Sequence, residues 1–87
     1  MTNIRTKVLE DAAALINGSR EQDYGSPKDN FGAIAEMWTT YTGVAISPAD
    51  VCCMMALLKI ARLKNGYHAD SFIDGVGYLA LGAEVGG

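Results

Sequence analysis

Histidine, cysteine and positive charge are all scarce in this chain, and each shortage closes off a class of function. The single histidine, His68, sits in the turn-forming stretch Asn65-Gly66-Tyr67-His68, and the two cysteines, Cys52 and Cys53, are adjacent. No second histidine and no suitable cysteine pair exists to complete a zinc site. Adjacent cysteines in an apolar helix act as small hydrophobes and do not pair with each other. Lys and Arg number 7 against 10 Asp and Glu, a formal net charge of −3, so the basic face that nucleic-acid binding requires is missing. No apolar run approaches the roughly 20 residues that cross a bilayer. The segment from Met1 to Ile16 lacks the uninterrupted hydrophobic stretch and small-residue cleavage site of a signal peptide. A cytoplasmic location with no membrane partner is therefore expected. Also absent are a Walker-type phosphate loop, G-x-S-x-G and H-E-x-x-H.

What is present is apolar. Hydrophobic residues make up 49% of the 87, and a chain this short hides only about 60% of its unfolded surface. One domain over residues 1–87 is expected, with part of its apolar surface covered by a second copy in a homo-oligomer. No stretch alternates with period two, so the expectation is an all-α fold of four helices.

Thr2 or Asn3 can cap the first helix, whose apolar positions Ile4, Val8, Ala12, Leu15 and Ile16 recur at three and four, and Asn17-Gly18-Ser19 ends it. A polar loop follows over 20–25. Ser26-Pro27-Lys28-Asp29 and Ser47-Pro48-Ala49-Asp50 are two copies of one helix-start device, serine as N-cap, proline at the first position and an acid at the third. They predict helices over 27–42 and 48–64. The first shows Phe31, Ile34, Ala35 and Trp38 on one face. In the second, Val51 to Leu58 are all apolar, which predicts burial on every side; Cys52, Cys53, Met37, Met54 and Met55 read as packing. A last helix over 70–84 carries Gly75, Gly77 and Gly82. Each interior glycine costs roughly 1 kcal/mol against alanine, so something must approach this helix closely. Residues 85–87 carry no helical signal and read as frayed.

The organising stretch is Asp50 to Tyr78. An antiparallel hairpin with its turn near 66–68 sets Lys59 and Arg62 opposite Asp70, Asp74 and Tyr78. Such a seam has two readings: a structural ion-pair network that fixes helix register, or a site in which the carboxylates Asp70 and Asp74 hold Mg²⁺ while Lys59 and Arg62 hold phosphate. A second polar group, Asp23, Tyr24, Gly25 and Asn30, flanks the start of the second long helix. It reads either as a turn with a capping box or as a cradle for a base or a phosphate.

The series Tyr24-Gly25, Asn30-Phe31, Ile34-Ala35, Trp38, Asp50-Val51, Met54-Met55, Leu58 to Leu63, Asp70, Asp74 and Gly77-Tyr78 resembles a family of short phage and prophage proteins of unknown function. It is also similar to the phage nucleotide modification associated domain, through its Y-G-x-P…N-F, K-x-x-R-L and D-x-x-x-Y elements. The resemblance spans about residues 20–80. It implies a phage origin and a role in nucleotide metabolism or in countering host defence. Such families are compared with all-α MazG-like pyrophosphohydrolases, which hold Mg²⁺ with clustered carboxylates; here Glu10 has only Asp11 beside it and Glu36 stands alone, which leaves Asp70 and Asp74.

Two functions are therefore expected as alternatives. One is binding of a nucleotide or other phosphorylated small ligand, with Mg²⁺ at Asp70 and Asp74. The other is a phage accessory protein that binds a host protein inside the bacterial cell.

Overall fold

A computed structural model describes residues 3–87. Five α-helices follow one another: α1 (Ile4–Asn17), α2 (Arg20–Tyr24), α3 (Pro27–Thr42), α4 (Pro48–Arg62) and α5 (Ala69–Gly86), with a 3-10 turn at Leu63–Asn65. The described residues hold no strand. The all-α expectation holds, but the described residues hold one α-helix more than the four read from the pattern.

Each helix starts where side-chain chemistry allows it. Asn3 Oδ1 accepts the Thr6 N–H at 2.8 Å, which fixes the start of α1; Thr2, the alternative cap, lies outside the described residues. At α4 the capping box is complete: Ser47 Oγ accepts the Asp50 N–H at 3.0 Å and Asp50 Oδ2 accepts the Ser47 N–H at 3.0 Å. At α3 Ser26 Oγ accepts the Asp29 N–H at 3.2 Å without the reciprocal bond. Gly43 ends α3 in the left-handed region at φ 72°.

The extra helix replaces the loop expected over 20–25. Five residues are too few to form a stable helix alone. This one is held at both ends: Ser19 O accepts the N–H groups of Gln22 and Asp23 at 3.1 and 3.2 Å, and Gly25, at φ 80°, donates to Glu21 O at 2.8 Å. Arg20 and Tyr24, one turn apart, also stack, with the guanidinium carbon 4.9 Å from the ring centroid.

The core collects Phe31 and Ala35 from α3, Val51 and Cys52 from α4 and Leu81 from α5, with Ile16, Trp38, Met55, Tyr78 and Val85 packed around it. The α4–α5 pair is the most extensive helix contact, followed by α1 on α5 and α3 on α4. The antiparallel hairpin is therefore the centre of the fold, and α5 lies between α4 and α1. Val85 packs on the core and α5 runs to Gly86, so the frayed end expected over 85–87 is instead helix held by packing.

The expected burial of α4 on every side is not observed. Val51, Cys52 and Ala56 are buried, while Cys53, Met54, Leu57, Leu58 and Ile60 are exposed. The helix meets neighbours on one side only, and its continuous apolar run disguised an ordinary two-sided helix. Met37 is exposed for the same reason, on the outer side of α3.

Close approach accounts for the glycines of α5. A Cβ at Gly82 would lie 3.0 Å from Cys52 Cβ, and one at Gly77 would lie 3.1 Å from Ile16 Cγ2. Gly82 thus lets α4 sit against α5, and Gly77 does the same for α1. Gly32 in α3 has open space around it. Accordingly Gly82→Leu should lower the free energy of urea unfolding by ~1–3 kcal/mol through overpacking, whereas Gly32→Ala should raise it by up to ~1 kcal/mol through helix propensity. Equal responses at both positions would refute the close-approach account.

Candidate functional site

The register of the hairpin decides which polar residues meet. Lys59 and Asp74 face each other, Nζ to Oδ2 at 3.0 Å, with side chains 15% and 29% exposed. Arg62, three residues on from Lys59, is rotated off the α5-facing side of α4 and is exposed. Asp70 lies one turn before Asp74 in the first turn of α5 and is exposed as well. The seam expected to hold two cations, two carboxylates and a phenol is thus one ion pair, with Tyr78 one turn further along α5.

A cleft of about 300 Å³ opens beside this pair, between the end of α1, α2 and α5. Its apolar lining comes from Leu15, Ile16 and Leu81, its polar lining from Ser19, Arg20, Asp23, Tyr24, Asp74 and Tyr78, and Gly77 forms part of its floor. Of the residues singled out from the sequence, the fold gathers Asp23, Tyr24, Asp74 and Tyr78 here, with Lys59 reaching the edge through Asp74. Gly25 and Asn30 are not in the lining; Gly25 terminates α2, and Asn30 is half-buried at the start of α3. Tyr78 is held by an edge-on contact with the buried Phe31 ring, centroids 6.3 Å apart at 74°.

Arg20 is the cleft residue that the sequence pattern did not mark. Its guanidinium lies over both Tyr24, at 4.9 Å, and Phe31, at 5.2 Å from the ring centroid. The two ion pairs among the described residues are Lys7–Asp11 and Lys59–Asp74, so Arg20 is a cation without a carboxylate partner. The signal available was the i, i+4 spacing of Arg20 and Tyr24, which carries meaning only once 20–24 is known to be helical.

The buried Cys52 is chemically quiet. Burial first, and neighbouring Cys53 second, push its thiol above the ordinary value, and Arg20 pulls weakly the other way. A thiol in that state is protonated at neutral pH and is not a nucleophile.

The two carboxylates named for Mg²⁺, Asp70 and Asp74, lie one turn apart on α5. Among the described residues no three His, Cys, Asp or Glu side chains converge. Asp74 is engaged by an ammonium and Asp70 points to no shared centre with a third acid. No helix in the described residues is long and apolar enough to cross a membrane.

Residues 7–86 match the family described as "Domain of unknown function (DUF6378)". The chain belongs to this family. It is 51% identical over 76 residues to the Gene 55 protein of Mycobacterium phage L5, an alignment covering 85% of this chain and 49% of that protein. Against the Gene 55 protein of Mycobacterium phage D29 it is 49% identical over 72 residues, covering 82% and 48%. The chain thus spans about half the length of the curated relatives it matches. No solved structure matches it. The resemblance to short phage proteins read from the motifs is thereby borne out.

The ion pair at the cleft edge makes a specific prediction for stability. Removing one member leaves a partly buried charge alone, so Lys59→Ala should cost ~1–3 kcal/mol in chemical denaturation. The double replacement Lys59→Met with Asp74→Leu should recover most of that loss. A double variant as unstable as the sum of its singles would show that the two side chains do not act as a pair.

Proposed function

We propose that this phage protein binds a small phosphorylated ligand of mononucleotide size in the cleft between α1, α2 and α5. The observation that carries the reading is a guanidinium without a carboxylate partner, set beside two phenol rings and two carboxylates in one concavity. Arg20 supplies planar, always-charged donors matched to phosphate oxygens. Tyr24 is 60% exposed and offers a free ring face for a base, with Tyr78 on the α5 side. Asp23 and Asp74 are acceptors for sugar hydroxyls or exocyclic amines. Lys59 stands next to the cleft, and its ammonium adds positive potential for the anionic end of the ligand.

Size narrows the ligand. Small-molecule sites range over about 300–1,000 Å³, and this cleft, at about 300 Å³, sits at the lower bound. A mononucleotide or a smaller phosphate ester suits that volume. The reading is binding, carried by Arg20 and the two phenol rings, and it places no step on Mg²⁺.

Thermal-shift and calorimetric titration with nucleoside mono-, di- and triphosphates, with and without Mg²⁺, test this directly. A monophosphate should raise the midpoint by mass action on the folded state, and Mg²⁺ should leave the effect unchanged. Arg20→Ala and Tyr24→Ala should each weaken binding at least ~10-fold, the scale of one lost charge-assisted bond or stacking contact. Arg62→Ala, outside the cleft, should not. Absence of any shift at millimolar phosphorylated ligand would overturn the reading and turn attention to a host protein as the binding partner.

A further inference from the structure

The outer side of α4 has a pattern that its place in the fold does not use. Asp50, Cys53, Leu57 and Ile60 succeed one another along α4 at intervals of three, four and three, the spacing of a helix-pairing seam, and Lys64 follows four residues on in the 3-10 turn that continues from α4. All five are exposed, Leu57 at 61% and Ile60 at 58%. Met54, 41% exposed, and Ala61 flank the row. Between Asp50 and Lys59 the helix carries no charge at all. An isolated helix face of this kind is an unsatisfied apolar surface in water.

The seam is complementary to itself in one orientation. Leu57 is its midpoint, the carboxylate of Asp50 marks one end and the ammonium of Lys64 the other. Neither charge belongs to an ion pair within the described residues. A parallel copy would set like charges against each other. An antiparallel copy sets Asp50 against Lys64 of the partner subunit at both ends, Leu57 against its own counterpart, and Met54 near Ile60 of the partner subunit. That arrangement has the two-fold symmetry of an isologous dimer.

The exposed area matches what such a partner would cover. A compact chain of 9.2 kDa keeps about 4,900 Å² exposed by the usual scaling, whereas this chain exposes 6053 Å². The excess is about 1,100 Å², and a standard stable interface removes about 800 Å² from each partner. The radius of gyration, 13.8 Å, likewise exceeds the roughly 12 Å of a compact chain of this length.

We propose that the protein is a homodimer whose two-fold axis passes beside Leu57, with the α4 helices of the two copies packed antiparallel. The cleft described above is lined by no residue of α4, so the dimer stands independently of the ligand reading.

Sedimentation equilibrium of the full 87-residue chain between 10 and 200 µM, with circular dichroism of each variant, tests it. The expected species has twice the 9.2 kDa monomer mass. Leu57→Asp, which sets two carboxylates at the axis, should raise the dissociation constant by about 100-fold or more, the scale of a central interface residue, with helicity unchanged. In a Cys53→Ala background, Leu57→Cys should link the two copies under oxidised glutathione, the two thiols giving up two protons and two electrons to the added disulfide. The native Cys53 pair should not link, because the antiparallel seam sets those residues eight positions apart, ~12 Å along the helix. A monomer at 200 µM, a dimer that Leu57→Asp leaves intact, or cross-linking at Cys53 as fast as at position 57 would each overturn the proposal.

Discussion

Everything in this structure depends on how closely α4 and α5 approach. Gly82 sits where a Cβ would stand 3.0 Å from Cys52 Cβ, and Gly86 where one would stand 3.2 Å from Ala49 Cβ. Small residues on both sides let the two backbones close together over most of their length. In exchange for the helix propensity that the glycines give up, about 1 kcal/mol each, the pair gains a close contact in one register. That register, and no special feature of the side chains, determines that Lys59 meets Asp74 and that Arg62 meets neither acid. Gly77 repeats the device toward α1, and the cleft is the space left where α1 and α5 diverge around the short helix α2.

The relation of the cleft to the core is correspondingly asymmetric. One wall, α5, is locked by the glycine contacts and by Tyr78 set edge-on to Phe31. The other wall, α2, is held by terminal hydrogen bonds and by Arg20 spanning the rings of Tyr24 and Phe31. The guanidinium therefore has two tasks: it ties α2 to the core and is the cleft's free cation. A ligand anion would draw on donors already preorganised by stacking, which lowers the entropic cost of recruiting a flexible arginine.

Much of the fold was legible because its signals are local. Two Ser-Pro-x-Asp starts, Gly43 and the periodicity of α1 and α3 placed helix ends to within a residue or two. The glycine load of α5 announced a close neighbour before any neighbour was visible. What the sequence hid depends on tertiary context. Helix α2 is too short to nucleate by itself, so no windowed pattern reveals it, and with it went Arg20. The unbroken run Val51–Leu58 concealed which side of α4 is wet, since periodicity disappears when both faces are apolar. Of the candidate site, Asp23, Tyr24, Asp74, Tyr78 and Lys59 came together. Gly25 terminates α2 and Asn30 lies in the first turn of α3, while Arg62 and Asp70 sit one turn nearer the connection between α4 and α5 than Lys59 and Asp74 and are exposed there.

Helix α2 is bounded by Gly18 before it and Gly25 after it, and it contributes no residue to the buried core. Three of the six polar groups lining the cleft, Arg20, Asp23 and Tyr24, reside in this five-residue segment. Half of the cleft's polar lining is therefore carried by a segment outside the buried core. On the proposed ligand reading, exchanges at Asp23 or Tyr24 would alter what the cleft accepts at little expense to the hydrophobic centre, whereas a side chain at Gly82 would meet Cys52. Such a division would give a small scaffold room to diversify in ligand preference by drift within one short segment, with its architecture held by the α4–α5 pair.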